Sequence, residues 1–170
     1  MTETARMNEI DYNKMIKELP NTTQNILDTY ELLLQAAAAN CEYAVMEVSS
    51  HALDMERVKG IDFKVGLFTN LSQDHLDYHK TFENYLAAKM KILNQVSGNM
   101  IVNADDKTYP EWQKAKKDIK SIGYNANDYK ILSYDDELHG TMIHCEINNT
   151  KYDIHTNLKN ELTVYAYMFS

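Results

Sequence analysis

Only two cysteines occur in the 170 residues, Cys41 and Cys145. They lie far apart without CxxC spacing, so the expected state is two reduced thiols in a cytosolic protein. Proline (2) and glycine (5) are also scarce, which excludes collagen-like or linker-rich organisation. No apolar run reaches the roughly 18 residues a membrane span needs. The opening residues, Met1 to Arg6, are polar and lead into no apolar stretch, so they read as no signal peptide. Cytoplasmic location is the expectation. Positive charge is in deficit too. Seventeen Lys and Arg face 25 Asp and Glu, for a net charge of −8. Such a surface repels nucleic acid and anionic membrane, and neither is expected as a partner.

What is present is one domain's worth of ordinary globular composition, 44% hydrophobic and 25% charged, enough to bury a core. Residues 1–20 alternate weakly, as a β-hairpin would. Pro20 disfavours helix just before it. Thr22 or Thr23 is placed to cap a helix ending near Asn40, with Ile26, Tyr30, Leu33, Leu34 and Ala37 at helical spacing. Short apolar runs at 43–48, 63–69 and 99–103 read as buried strands of a parallel sheet. A helix from 82 to about 96, with Thr81 as its cap, lies between the last two and makes a β-α-β unit. Residues 106–120 look helical, and 121–124 read as another short strand. From about 126 the pattern changes. Residues 129–133, 141–147 and 151–156 alternate, and Asn148-Asn149 sits as a hairpin turn. The expected organisation is an α/β body over 21–125, a mostly parallel sheet flanked by helices, then a small antiparallel β unit over 126–158.

The residues able to carry chemistry cluster between Glu47 and Lys89. Glu47 follows an apolar strand, where open α/β sheets bind ligands. It reads either as a metal ligand or as a hydrogen-bonded strand-end carboxylate. Thr69 to His79 follows the next strand and packs Asp74, His75, Asp77 and His79 into six residues. Carboxylates and imidazole could hold a cation there, or cap the next helix. A zinc-hydrolase reading of His75-Leu-Asp-Tyr-His79 fails, because HExxH needs Glu where Leu76 stands. Lys89 falls on the apolar stripe of its helix, seven places after Phe82. It either snorkels to water or is a pocket lysine. Burial there would lower its pKa and leave a neutral amine able to take up carbon dioxide as a carbamate. Arg57 suits an anionic ligand. Asn103-Ala-Asp-Asp106 could touch a nucleotide or cap a helix.

Taken together, Asn21-Thr22-Thr23, MEVSSHALDMERVKG (46–60), FTNLSQDHLDYHKTFENYLAAK (68–89) and VNADD (102–106) resemble the central domain of the Mur ligases, MurE type. The second and third stretches are long and specific. The resemblance implies a P-loop-like α/β fold and an ATP-dependent amide ligase of peptidoglycan biosynthesis. Such a ligase adds a diamino acid to UDP-MurNAc-L-Ala-D-Glu through an acyl phosphate, with Mg2+ and ATP. It implies Glu47 on the magnesium between the ATP phosphates, and His75 with a carbamylated Lys89 on a second. It also implies Asn21, Thr22, Thr23, Ser49 and Arg57 against the UDP-MurNAc-dipeptide.

Departures accompany the likeness. Gln24 stands where the family usually has Pro, and Met55 where a substrate-binding Gln is usual. The carboxy-terminal LxGxFNxYN pattern has become Leu158-Lys-Asn160-Glu-Leu162-Thr163-Val-Tyr165-Ala166. No GxxGKT, the loop that cradles the triphosphate, occurs in the 170 residues. The expectation is therefore a fragment of the central domain, inactive alone and in need of a complementary chain. The competing readings are a non-catalytic remnant or binding module that keeps the fold, and a related folylpolyglutamate-type synthetase.

Overall fold

The computed structural model describes residues 4–6, 9–12, 15–18, 21–72 and 76–157, with side chains from residue 21 onward. The chain forms two compact units, residues 1–61 with 75–95, and residues 62–74 with 96–170.

The first unit opens with three short strands, β1 (Thr4–Arg6), β2 (Glu9–Tyr12) and β3 (Met15–Glu18). The expected hairpin is thus a three-stranded meander, and β1 also pairs in parallel with β4 (Tyr43–Val45). The sheet order is β3-β2-β1-β4. Helix α1 (Ile26–Ala38) joins the meander to β4, and its cap is Asn25, whose side chain accepts the Asp28 N–H. Neither threonine caps it, because the Thr23 hydroxyl is engaged elsewhere.

The buried face of α1 is Thr29, Leu32 and Ala36, whereas Leu27 is 78% and Leu34 71% exposed. The predicted stripe through Ile26, Tyr30 and Leu34 is therefore the outer face. Helical periodicity reports that a face is apolar, not which neighbour covers it. Tyr43 and Val45 on β4, the edge strand of this sheet, are exposed as well.

Helices α2 (Ser50–Asp54), α3 (Leu76–His79) and α4 (Phe82–Met90) complete the unit. Thr81 caps α4 by accepting the Asn84 N–H. The helix is shorter than its pattern suggests. A 3-10 turn, Lys91–Gln95, replaces its last turns, and Val96 opens the next strand instead of closing the stripe.

The second unit is one six-stranded sheet, ordered β10-β9-β8-β7-β6-β5. Its members are β5 (Phe63–Phe68), β6 (Val96–Asn103), β7 (Lys120–Gly123), β8 (Tyr129–Glu137), β9 (Gly140–Ile147) and β10 (Thr150–Thr156). Strands β5 to β8 run parallel, and β8-β9-β10 antiparallel. The antiparallel strands thus continue the parallel sheet. Helix α5 is confined to Tyr109–Ala115. It packs the fully buried Trp112 against Phe68, ring centroids 4.5 Å apart. Met100, Val102, Ile122, Ile131 and Ile143 fill the remaining core. Asn148 and Asn149 both adopt positive φ (51° and 61°), as a two-residue hairpin turn requires.

On the solvent face of this sheet His144 lies between two carboxylates. Its Nδ1 is 2.6 Å from Asp153 on β10, and its Nε2 is 3.1 Å from Asp135 on β8. Hydrogen bonds to Asp153 and then Asp135 raise its pKa above the usual 6.5. A raised folded pKa adds stability that is complete below the unfolded value and lost as pH rises through the folded one. We expect an NMR titration midpoint for His144 above 6.5. His144→Gln should abolish the loss of stability over that window, and an unchanged pH profile would refute the link.

Among the described residues no helix is long and apolar enough to cross a membrane.

Candidate active site

The irregular segment after β4, Met46 to Ser49, lies at the carboxyl end of a parallel strand, and a single threonine organises it. Thr23 is buried. Its Oγ1 donates to the Glu47 carbonyl at 3.0 Å and accepts the Ser49 N–H at 3.0 Å. The hydroxyl thus holds the backbone on both sides of Val48, and Glu47 itself is exposed. Ser49 Oγ caps α2 by accepting the Ala52 N–H at 3.1 Å. Arg57, after α2, returns to this point, with Nη1 donating to the Thr23 carbonyl at 3.1 Å. Losing the bridge should be costly, since unpaired buried polar groups lose about 1–3 kcal/mol. Thr23→Val is expected to lower chain stability by that amount in urea unfolding, with Thr23→Ser close to wild type.

Lys89, half-buried on α4, points at the same segment, with Nζ 3.4 Å from the Val48 carbonyl. Burial lowers the pKa of its amine, and the Glu47 carboxylate opposes that shift more weakly. It does not snorkel away. The amine is held near an exposed acid, with part of its hydration removed.

Of the residues singled out from the sequence, Glu47, Ser49, Arg57, Thr23 and Lys89 share this neighbourhood. Asn21 and Thr22 are exposed on the turn before Thr23. Gln24 is buried and donates its side-chain N–H to the Asn21 carbonyl, closing that turn where a proline was expected. Met55, in place of the expected Gln, offers its sulfur to Arg57 Nη2 at 3.3 Å. His75 and Asp74 lie outside the described residues, as does the altered motif from Leu158 on.

The Asn103–Asp106 stretch, within the second unit, is engaged in the fold. The Asp105 carboxylate accepts the Tyr124 and Asn125 N–H groups at 2.6 and 2.9 Å. A Cβ at Gly123 (φ 128°) would collide with that carboxylate, so glycine is required there. Asp106 accepts from Thr108 and from the Leu71 N–H. Neither carboxylate caps α5, whose first turn has no side-chain cap hydrogen bond; both brace loop backbone instead.

Sequence reading missed the second layer of the site. Buried His79 meets Ser50 Oγ at 2.9 Å. Tyr78 Oη donates to Asp54 at 2.8 Å, and Lys91 pairs with the same carboxylate at 2.7 Å. These contacts join residues 24 to 37 apart, and only the doubled Ser49-Ser50 and the His-rich loop hinted at them.

Among the described residues no three His, Cys, Asp or Glu side chains form a metal cluster. The donors at hand are the Glu47 oxygens and Lys89. That set suits a hard cation only if the lysine carries an oxygen-bearing group.

The profile of the Mur ligase middle domain matches residues 2–170. A UDP-N-acetylmuramoyl-L-alanyl-D-glutamate–2,6-diaminopimelate ligase of Parabacteroides distasonis is 40% identical over 155 residues, 86% of this chain and 31% of that protein. The ligase of the same name from Clostridium perfringens is 36% identical over 154 residues, 85% of this chain and 31% of its own. A solved structure titled with that enzyme name superposes with a TM-score of 0.76 at 26% identity, covering 96% of this chain and 35% of the other. A solved structure titled FPGS-AMPPCP complex shares the fold alone, at TM-score 0.56 and 13% identity, covering 84% of this chain and 39% of the other. The chain spans about a third of the length of these curated relatives. With Glu47, Thr23 and Lys89 gathered at one strand end, and the profile matched almost end to end, the chain belongs to the Mur ligase middle-domain family.

Proposed function

We propose that these residues form the metal- and substrate-holding part of a MurE-type ligase. Such an enzyme couples ATP hydrolysis to addition of a diamino acid to UDP-MurNAc-L-Ala-D-Glu. The observation that carries this reading is the approach of Lys89 Nζ to the Glu47–Ser49 segment, on a helix where burial favours the neutral amine. The names of the relatives support 2,6-diaminopimelate as the diamino acid.

A neutral Nζ attacks carbon dioxide, an N–C bond forms, and one amine proton passes to water. The neutral amine thereby becomes a carbamate anion with two oxygen donors. Glu47 would hold one Mg2+ and the Lys89 carbamate with His75 a second; such ions when bound neutralise phosphate and carboxylate charge. The Arg57 guanidinium has donors beyond its bond to Thr23 and would grip an anionic group of the UDP-MurNAc-dipeptide. Thr23 holds the backbone that carries Glu47 and Ser49, while Asn21, Thr22 and Ser49 offer further polar contacts to the dipeptide. The triphosphate cradle is supplied by residues outside these 170, on the same polypeptide or a complementary one. The site would work in the cytoplasm.

The test is a graft in which residues 21–157 replace the aligned stretch of the Parabacteroides distasonis ligase. The expected result is ATP- and Mg2+-dependent addition of diaminopimelate by the graft, and none by the 170-residue chain alone. A folded graft without product would overturn the proposal and favour the non-catalytic remnant.

A further inference from the structure

Four consecutive residues at the end of β4 are held by groups from elsewhere in the first unit. The Glu47 carbonyl and Ser49 N–H are held by Thr23, the Val48 carbonyl by Lys89, and the Ser50 hydroxyl by His79. The first three contacts involve residues already placed in the site. His79 makes the fourth contact, and nothing in the proposed chemistry uses it.

Its surroundings explain what it does. Both His79 and Ser50 are buried. The imidazole stacks on Tyr85 of α4, centroids 5.1 Å apart and 17° between planes. Tyr78 meets its edge at 4.7 Å, and the His79 carbonyl accepts the Asn84 side-chain N–H at 3.0 Å. Lys89 lies one helical turn beyond Tyr85 on the same side of α4. One side chain therefore joins the first residue of α2 to the helix that carries Lys89. If the ring moves, α4 shifts against the Glu47–Ser50 segment, and the distance from Lys89 to the strand end shifts with it.

We propose that His79 is a positioning residue, which sets the register of Lys89 against the Glu47–Ser50 segment through its bond to Ser50. This rests on the reading of Lys89 given above, but concerns geometry that exists whether or not Lys89 reacts.

The test uses the full 170-residue chain in three forms: wild type, His79→Phe and His79→Gln. Phenylalanine keeps the stack on Tyr85 and loses the polar contact. Glutamine keeps a polar atom at similar reach. Two signals are read by NMR, the Lys89 ε-methylene carbon shift and the carbamate resonance in 13C-bicarbonate. Circular dichroism confirms that each variant folds. The expected result is a displaced ε-methylene shift and a carbamate signal at least five-fold weaker in His79→Phe. His79→Gln should lie within two-fold of wild type, with the shift restored. Equal Lys89 signals in folded wild type and His79→Phe would overturn the proposal. So would displacement in both variants alike, since that marks a packing role only. No carbamate in wild type would sink the reading of Lys89 instead, while the ε-methylene shift still decides the role of His79.

Discussion

Lys89→Met in the grafted ligase is expected to lower kcat by about 10²–10³-fold, the usual effect of removing one group that offsets transition-state charge. Methionine matches the reach and apolar stem of lysine, but it cannot become a carbamate. The loss should fall on kcat, with KM for ATP little changed, because the triphosphate is cradled elsewhere. Single-turnover measurements separate chemistry from release. A KM effect with normal kcat would make Lys89 a binding residue and remove the carbamate from the account. Exposed Glu47 gives a companion result. Glu47→Gln in the graft should lose activity at low Mg2+ and need more metal for half-maximal rate, while the bond from Thr23 to the Glu47 backbone carbonyl is kept.

Trp112→Ala should be the most destabilising single change in the second unit. The indole is fully buried, packs on Phe68 at 4.5 Å, and donates through Nε1 to Thr108 Oγ1 at 3.3 Å. Truncating a buried tryptophan costs about 3–5 kcal/mol, against a total stability of ~5–15 kcal/mol for a typical domain. Urea unfolding followed by circular dichroism should show the midpoint falling steeply. Trp112→Phe should recover more than half, because the indole hydrogen bond contributes only about 1 kcal/mol. A loss below 1 kcal/mol for the alanine variant would mean that this region is loosely packed.

The α/β pattern and the succession of strands along the chain from Phe63 onward were legible because short β-rich runs bounded by polar turns leave few alternatives, whereas the joining of the antiparallel strands to the parallel sheet was not. Asn148-Asn149 marked its hairpin for the same reason: a two-residue turn needs positive φ, and asparagine tolerates it. Boundaries were less visible. The pattern of 82–96 is apolar at helical spacing throughout, yet the helix gives way to a 3-10 turn and Val96 joins β6. A tertiary strand pairing, absent from local periodicity, decides that point. The outward face of α1 is a similar case. Leu27 and Leu34 are as apolar as Leu32, and only packing distinguishes them.

In the candidate site, strand-end position and stripe register singled out Glu47 and Lys89 but left each a plain structural reading, and only the resemblance of the longer stretches weighted them toward chemistry. The approach of Lys89 to the Val48 carbonyl spans 41 residues and could not be read from spacing. Gln24 and Met55 looked like erosion in the sequence. In the structure both are used, one closing the turn before Thr23 and the other contacting Arg57. The organising role of Thr23 and the His79–Ser50 bond had no local signature, since a buried hydroxyl and a buried imidazole are informative only once their partners are known.

The most direct measurement is the carbon-13 spectrum of the folded wild-type chain in 13C-bicarbonate, with Lys89→Met as the control. The account predicts one protein-bound carbamate resonance that vanishes in the variant and strengthens when Mg2+ is added. No resonance from a folded wild-type chain, or one that survives in Lys89→Met, would contradict it.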